Sequence, residues 1–243
     1  MTSLAKNFFL IFWLTLMTTV LHPYRIYKDR MGRAPLISLL DFNDSFTFNI
    51  ATYLGLLGYS FQVVPFSRIK AFLKSPFLLS NAHVLVYGPG PGHPDEYSNL
   101  FPIIKKLLRC NTLFHLGICL GHQIIGRVLG DEVVRSKNPM HAQAVSLKVP
   151  PWENCFPREA WGRSIQVQRY NSLAIRGFKA KSDINEALDQ SGEVLIRKFE
   201  RGVSYQFHPE SIGTSFPSLF FEPLNYFLYN FKYEKSDSVG WNL

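Results

Sequence analysis

Cysteine is scarce in this chain: Cys110, Cys119 and Cys155 are the only three in 243 residues. An odd number at these separations matches neither a disulfide framework nor the paired spacing of a zinc site, so neither cross-links nor a structural metal is expected to hold the protein together. A reducing, cytoplasmic setting is the simpler expectation. Runs of one charge are missing as well. The formal net charge is +8, yet Lys and Arg occur in ones and twos. Without a basic run or an RNA-binding signature, a nucleic-acid partner is not expected. No internal repeat is visible.

What is abundant is apolar material. Hydrophobic residues make up 47% of the chain and aromatics 15%, enough for one large core without staples, and one domain is the default. The long apolar run is at residues 7–21, NFFLIFWLTLMTTVL. It is about as long as a signal-peptide core and shorter than the roughly 20 residues of a spanning helix, and no small-x-small cleavage site follows. Three readings stay open: a membrane or export segment, an extra amphipathic element, or a start codon placed too far upstream, with Met31 the true one. The body of the chain has no other secretory sign, which favours the last. Residues 1–33 are therefore read as an N-terminal extension, 34–232 as the folded domain and 233–243 as a polar tail. A membrane partner is expected only if the apolar segment is genuine.

From Ala34 the pattern alternates between short β-rich runs and amphipathic stretches of helical length, which predicts parallel strands joined by crossover helices. PLISLLDF is a nearly continuous apolar run, as a strand covered on both faces should be. NDSFTFNIATYLGLLG then offers Asp44 or Ser45 as an N-cap, Phe46, Ile50, Leu54 and Leu57 along one face, and Gly58 as a stop. SFQVVPF and AHVLVY read as further strands, the latter ended by the loop GPGPGHPDEY. A helix from about Asn99 to Arg109 precedes the strand TLFHLGI, and CLGHQIIGRVLG is helical in its apolar spacing, closed by Gly130. The second half is richer in strands: AVSLKV, SIQVQRY, VLIRKF and GVSYQFHPE. Antiparallel additions to the main sheet are the expectation there. LFFEPLNYFLYNF predicts a last helix, interrupted near Pro223.

Chemistry concentrates at Gly-Ile-Cys-Leu-Gly, between a strand and a helix. A sharp turn at that junction pushes the central side chain out at the carboxyl edge of the sheet, and flanking glycines allow the strained backbone and close packing of such an elbow. The Cys119 thiol then sits at a helix N-terminus, where the dipole favours thiolate and free N–H groups can hold an oxyanion. A small buried side chain is the competing reading, and it is the one adopted for Cys110 and Cys155. A nucleophile needs a base, and YQFHPES supplies a candidate. Pro209 holds His208 extended, and alternation directs His208 and Glu210 to one side, so Glu210 can orient the imidazole. His115 and His122 are expected to be structural; His22, His83 and His93 have no paired acid at a useful spacing. The glycines of GPGPG make either a rigid turn or a close backbone approach that points an N–H at developing negative charge.

In order along the chain, DFNDSFTFN, GPGPGHP, GICLGHQ, RYNSL and QFHPES resemble the class I glutamine amidotransferases. The opening Asp-x-x-Asp-Ser-Phe-Thr-x-Asn is similar to the glutaminase component of anthranilate synthase and aminodeoxychorismate synthase. The resemblance covers about Pro35 to Phe231. It implies a flavodoxin-like α/β fold with an open, mostly parallel central sheet flanked by helices, and hydrolysis of L-glutamine by a Cys119-His208-Glu210 triad. It also implies an oxyanion hole from the backbone of Gly90 and Leu120, and glutamine binding by Gly92, Gln123, Ser172 and Leu173. No metal or organic cofactor is implied, and ammonia would pass to a separate chorismate-using component I subunit.

The chain departs from the pattern at Gly88, where serine is usual; at Ala142 and Gln143, where glycine and lysine are; at Asn171, where histidine is; and in lacking the glycine after His-Pro-Glu-Ser. Residues 142, 143 and 171 lie in segments that face the synthase partner in the family. Two alternatives therefore stay open: a stand-alone amidohydrolase, and a non-catalytic or diverged partner-binding subunit.

Overall fold

A computed structural model of the chain describes residues 25–27, 36–76, 78, 83–176 and 184–228. The apolar run at 7–21, the expected domain limits at 34 and 232 and the tail lie outside them. Among the described residues, no helix is long and apolar enough to cross a membrane.

The first half follows the predicted alternation. Strand β1 (Arg25–Tyr27) and strand β2 (Ile37–Asp41) are followed by α1 (Thr47–Leu56), β3 (Phe61–Pro65), α2 (Phe66–Leu73) and β4 (His83–Tyr87). A 3-10 helix (Pro94–Leu100) runs into α3 (Phe101–Leu107), then come β5 (Leu113–Ile118) and α4 (Leu120–Leu129). The second half contains β6 (Val133–Arg135), β7 (Gln143–Lys148), β8 (Ser164–Arg169), β9 (Leu173–Ile175), β10 (Asn185–Leu188), β11 (Val194–Phe199) and β12 (Gly202–Tyr205). Residues 222–228 are helical.

Eight strands form one sheet in the order β1-β3-β2-β4-β5-β12-β11-β10. The five from β3 to β12 are mutually parallel, while β1, β11 and β10 pair antiparallel at the edges. The parallel core has the doubly wound order in which the chain reverses direction between β2 and β4, and ligands in such sheets bind beyond the carboxyl ends of the strands near that reversal.

The apolar strand runs have a direct explanation. Ile37, Leu39, Val84, Val86, Leu116 and Ile118 face one core, with α1 and the β7–β8 hairpin. Leu40, Leu85, Tyr87 and Leu113 face the other, with α2, α3 and α4. A sheet covered on both faces needs apolar residues at successive positions. Placing α1 and α2 on opposite faces is what right-handed crossovers in opposite directions require.

Several local expectations change. Helix α1 is preceded by Phe46 with no side-chain cap; Asp44 instead accepts the Phe46 N–H in a turn, and Asp41 accepts the Thr47 hydroxyl, each at 2.9 Å. Leu57 is not on the buried face: it follows the last helical turn and is 40% exposed, and Thr47 and Ala51 join Ile50 and Leu54 inside. Gly58 (φ 82) and Gly130 (φ 97) end α1 and α4 as predicted, in the left-handed conformation that favours glycine. The helix expected over Asn99–Arg109 is the 3-10 and α pair, because Pro94 and Pro102 each start a new helical segment. Of the strands expected to extend the main sheet antiparallel, β11 does so. Strands β7 and β8 form a separate hairpin, and β12 joins the sheet parallel to β5.

Candidate active site

The turn from β5 into α4 carries the strain. Cys119 has φ 52 and ψ −104, a conformation that costs a non-glycine residue about 1–3 kcal/mol and persists only where its surroundings impose it. The Cys119 N–H donates to the Tyr205 carbonyl at 2.8 Å, tying the elbow to β12. The flanking glycines are required by packing instead. A Cβ on Gly117 would lie 2.8 Å from Ile125 Cδ1, and one on Gly121 would lie 2.0 Å from the Tyr87 carbonyl oxygen. Any side chain at 121 would push α4 off β4 and move the thiol with it.

His208 follows β12 by a short stretch, and the strand beside β12 in the sheet, β5, ends at Ile118, immediately before Cys119. The His208 N–H donates to the Gln168 carbonyl at 2.9 Å and its own carbonyl accepts from the Thr214 hydroxyl at 2.6 Å. The ring packs against Phe46 and Tyr170, with centroids 4.9 and 5.0 Å away, and those two rings also touch each other at 4.9 Å. Nδ1 lies 2.7 Å from Glu210 Oε1, and both side chains are buried. Strand alternation predicts that contact, but β12 stops at Tyr205. A turn, in which the Ser211 N–H donates to the His208 carbonyl, brings the carboxylate round to the ring. Burial by itself would depress the imidazole. The Cys119 sulfur and the Glu210 carboxylate, by charge and by hydrogen bonding, outweigh it and hold His208 well above its ordinary value. With Nδ1 committed to Glu210, Nε2 is the nitrogen left for the sulfur. The arrangement can move a proton between sulfur and ring.

The GPGPG loop leaves the end of β4 beside β2, where the Gly88 N–H donates to the Leu40 carbonyl at 3.1 Å. Gly90 is pressed against the elbow, since a Cβ there would lie 2.5 Å from Leu120 Cδ2 and 2.7 Å from Phe42 Cβ. Among the described residues, the N–H groups of Gly90 and Leu120 donate to no backbone carbonyl. Gly92 (φ 79) is turned toward Glu96 and belongs to the start of the 3-10 helix rather than to the elbow.

Gln123, one turn into α4, donates from Nε2 to the Leu173 carbonyl at 2.9 Å and to Gln206 Oε1 at 3.1 Å. The expected glutamine-contacting pair, Gln123 and Leu173, is thus brought together. Ser172 is exposed, and its carbonyl accepts from the Ser136 N–H at 2.9 Å. Asn171 is not idle: it receives Arg169 Nε at 3.0 Å and donates to the same Leu173 carbonyl at 2.9 Å. Arg169 is fully buried and paired with Asp189 and Glu193 at 2.8 and 2.9 Å.

Other candidates have structural employment. His83 Nε2 meets Ser38 at 2.7 Å, and burial brings its imidazole down to about 4. His115 Nε2 donates to the Leu107 carbonyl at 3.2 Å while Nδ1 faces the Tyr87 hydroxyl at 3.0 Å, and burial likewise brings it down to about 4. His122 Nδ1 meets Ser204 at 2.8 Å; burial and then the Arg197 charge hold it well below its ordinary value. His93 does have acids at hand. It caps the 3-10 helix, with its N–H bonded to Glu96 at 2.7 Å and its ring accepting the Asp95 N–H at 3.2 Å. Cys155 is buried, which pushes its thiol up to about 12. Among the described residues, no group of three His, Cys, Asp or Glu side chains is placed to hold a metal ion.

Three contributors do not stand out in the sequence. Phe46 and Tyr170 pack against the imidazole and against each other, although the sequence pattern marks Phe46 only as part of a helix face. Gln206, two residues before His208, donates to Cys119 Sγ across 3.8 Å. Period-two alternation backward from His208 is the signal that points to it.

A family model described as Glutamine amidotransferase class-I matches residues 38–225. The chain is 33% identical over 184 residues to the aminodeoxychorismate/anthranilate synthase component 2 of Bacillus subtilis, covering 74% of this chain and 91% of that protein. It is 30% identical over 181 residues to the pyocyanine-specific anthranilate synthase component 2 of Pseudomonas aeruginosa, covering 74% and 87%. A crystal structure of a glutamine amidotransferase from Thermotoga maritima shares the fold, with a TM-score of 0.57 at 16% identity over 86% of this chain and 87% of that one. With the family match spanning most of the folded region and the elbow, loop and imidazole lying at its heart, this chain belongs to the class I glutamine amidotransferases.

Proposed function

We propose that the chain is a glutaminase subunit that hydrolyses L-glutamine through Cys119, His208 and Glu210 and passes ammonia to a chorismate-using synthase subunit. The observation that carries this reading is the buried His208 imidazole, bound at Nδ1 by Glu210 and turned toward Cys119. In the cycle, the Cys119 proton moves to His208 Nε2 while Sγ attacks the γ-carbonyl of glutamine. The resulting oxyanion faces the N–H groups of Gly90 and Leu120. His208 returns the proton to the departing nitrogen, and ammonia leaves. His208 then takes a proton from water as the water oxygen bonds to the thioester carbon, and it returns that proton to sulfur as the carbon–sulfur bond breaks and glutamate is released. Glu210 keeps the ring oriented and offsets its positive charge. The chorismate-using partner is supported by the names of the relatives, which are component 2 proteins of anthranilate and aminodeoxychorismate synthases.

The test mixes the purified chain with a component I synthase, glutamine and chorismate, and follows glutamate. Release is expected from the parent and not from Cys119→Ser, whereas ammonia-driven synthesis by the partner should continue with either. Glutamate release that survives Cys119→Ser would rule out this mechanism.

A further inference from the structure

Gln206 lies immediately beyond β12, and because Tyr205 is in register with Ile118, it stands beside Cys119 across the parallel pair. The side chain is fully buried. Its Nε2 is 3.8 Å from Cys119 Sγ, and its Oε1 accepts from Gln123 Nε2 at 3.1 Å. Which end of the amide faces sulfur follows from one carbonyl. The Leu173 oxygen can only accept, so the Gln123 atom 2.9 Å from it is nitrogen. That same nitrogen reaches Gln206, which must present oxygen there and turn its NH2 toward the thiol. The Leu173 carbonyl is itself held by a second donor, Asn171 Nδ2, at 2.9 Å.

We propose that Gln206 is a further catalytic residue: its amide N–H, aimed by Gln123 and the Leu173 carbonyl, stabilises negative charge on the Cys119 sulfur. The place of this contact in a reaction cycle rests on the glutaminase reading. There the charge develops twice. The S–H bond breaks as its proton passes to His208, and the electron pair left on sulfur forms the bond to the γ-carbon. On hydrolysis the carbon–sulfur bond breaks and the pair returns to sulfur before the proton does. An amide does not take up a proton under these conditions, so Gln206 supports both events without competing with His208 as the base.

Alkylation of Cys119 by iodoacetamide reads the sulfur without needing glutamine or a partner. The background is Cys110→Ser, because Cys110 is only half-buried, and modification is followed by mass spectrometry of the Cys119 peptide from pH 5 to 9. Gln206→Met should slow alkylation at pH 7 about tenfold and displace the rate profile to higher pH, the loss expected for one hydrogen bond to a charged group. Gln206→Glu, which places a carboxylate beside the sulfur, should displace it further. Gln123→Met frees the amide without touching the thiol and should act in the same direction, less strongly. A Gln206→Met protein with the parent's melting temperature and an unchanged alkylation profile overturns the proposal. If that variant does not fold, an unchanged profile in Gln123→Met does so instead. A parent whose alkylation responds as expected in these variants but which never releases glutamate with its synthase partner counts against the glutaminase reading alone.

Discussion

His208 and Glu210 form a buried pair at 2.7 Å in which the carboxylate has one preferred partner, the imidazole Nδ1. Glu210→Gln keeps the shape but offers an amide that can present either its oxygen or its NH2 to the ring, and it removes the charge that favours imidazolium. Glutamate release should fall about a hundredfold or more through kcat, with KM for glutamine little changed. Steady-state kinetics with the synthase partner measures both; a variant that loses affinity while keeping kcat contradicts the orienting role.

Acid should weaken the fold before its carboxylates titrate. His83 and His115 are held neutral down to about 4, against an ordinary value of 6.5. The unfolded chain therefore binds more protons than the native one between those limits, and stability falls as pH drops through that window. Each site contributes up to about 3 kcal/mol by its lower end. His122 acts in the same sense. His208 opposes the trend only above about 6.5, because its raised native value adds stability that is present in full below 6.5 and lost as pH rises. Urea midpoints should decline from pH 7 to pH 4.5, and a flat profile there would disprove the assignment of these histidines as neutral core residues.

Ala142 has φ 55, a left-handed conformation, at a position where the family pattern has glycine. An alanine there carries about 1 kcal/mol of backbone strain that glycine would not. Ala142→Gly is expected to raise stability by that order in urea unfolding, partly offset by the greater freedom of glycine in the unfolded chain. A loss of stability would show that neighbouring contacts, rather than the backbone, set this residue's conformation.

The local features of this fold are readable because short-range chemistry decides them. Apolar runs such as PLISLLDF require a sheet covered on both sides, Gly58 and Gly130 end helices, and Gly-Ile-Cys-Leu-Gly requires a tight strand-to-helix turn. The candidate nucleophile, base and orienter, Cys119, His208 and Glu210, are legible in the same way, since each sits in a short segment with a distinctive neighbour. Helix α2 is not, and neither are β6, β9 and β10: the strands are three or four residues long, and β6 and β9 find their partners in each other, far apart along the chain.

Tertiary structure decided what those groups touch. Strand order put β12 beside β5, and that register is why Gln206 meets Cys119, although 87 residues separate them. The same closure laid Phe46 and Tyr170 against His208 and made Asn171 part of a buried Arg169 network. Residue patterning encodes which side chains are candidates for chemistry and which backbone must turn. The distances between them depend on parallel pairing between remote segments, which no periodicity within a single segment reports.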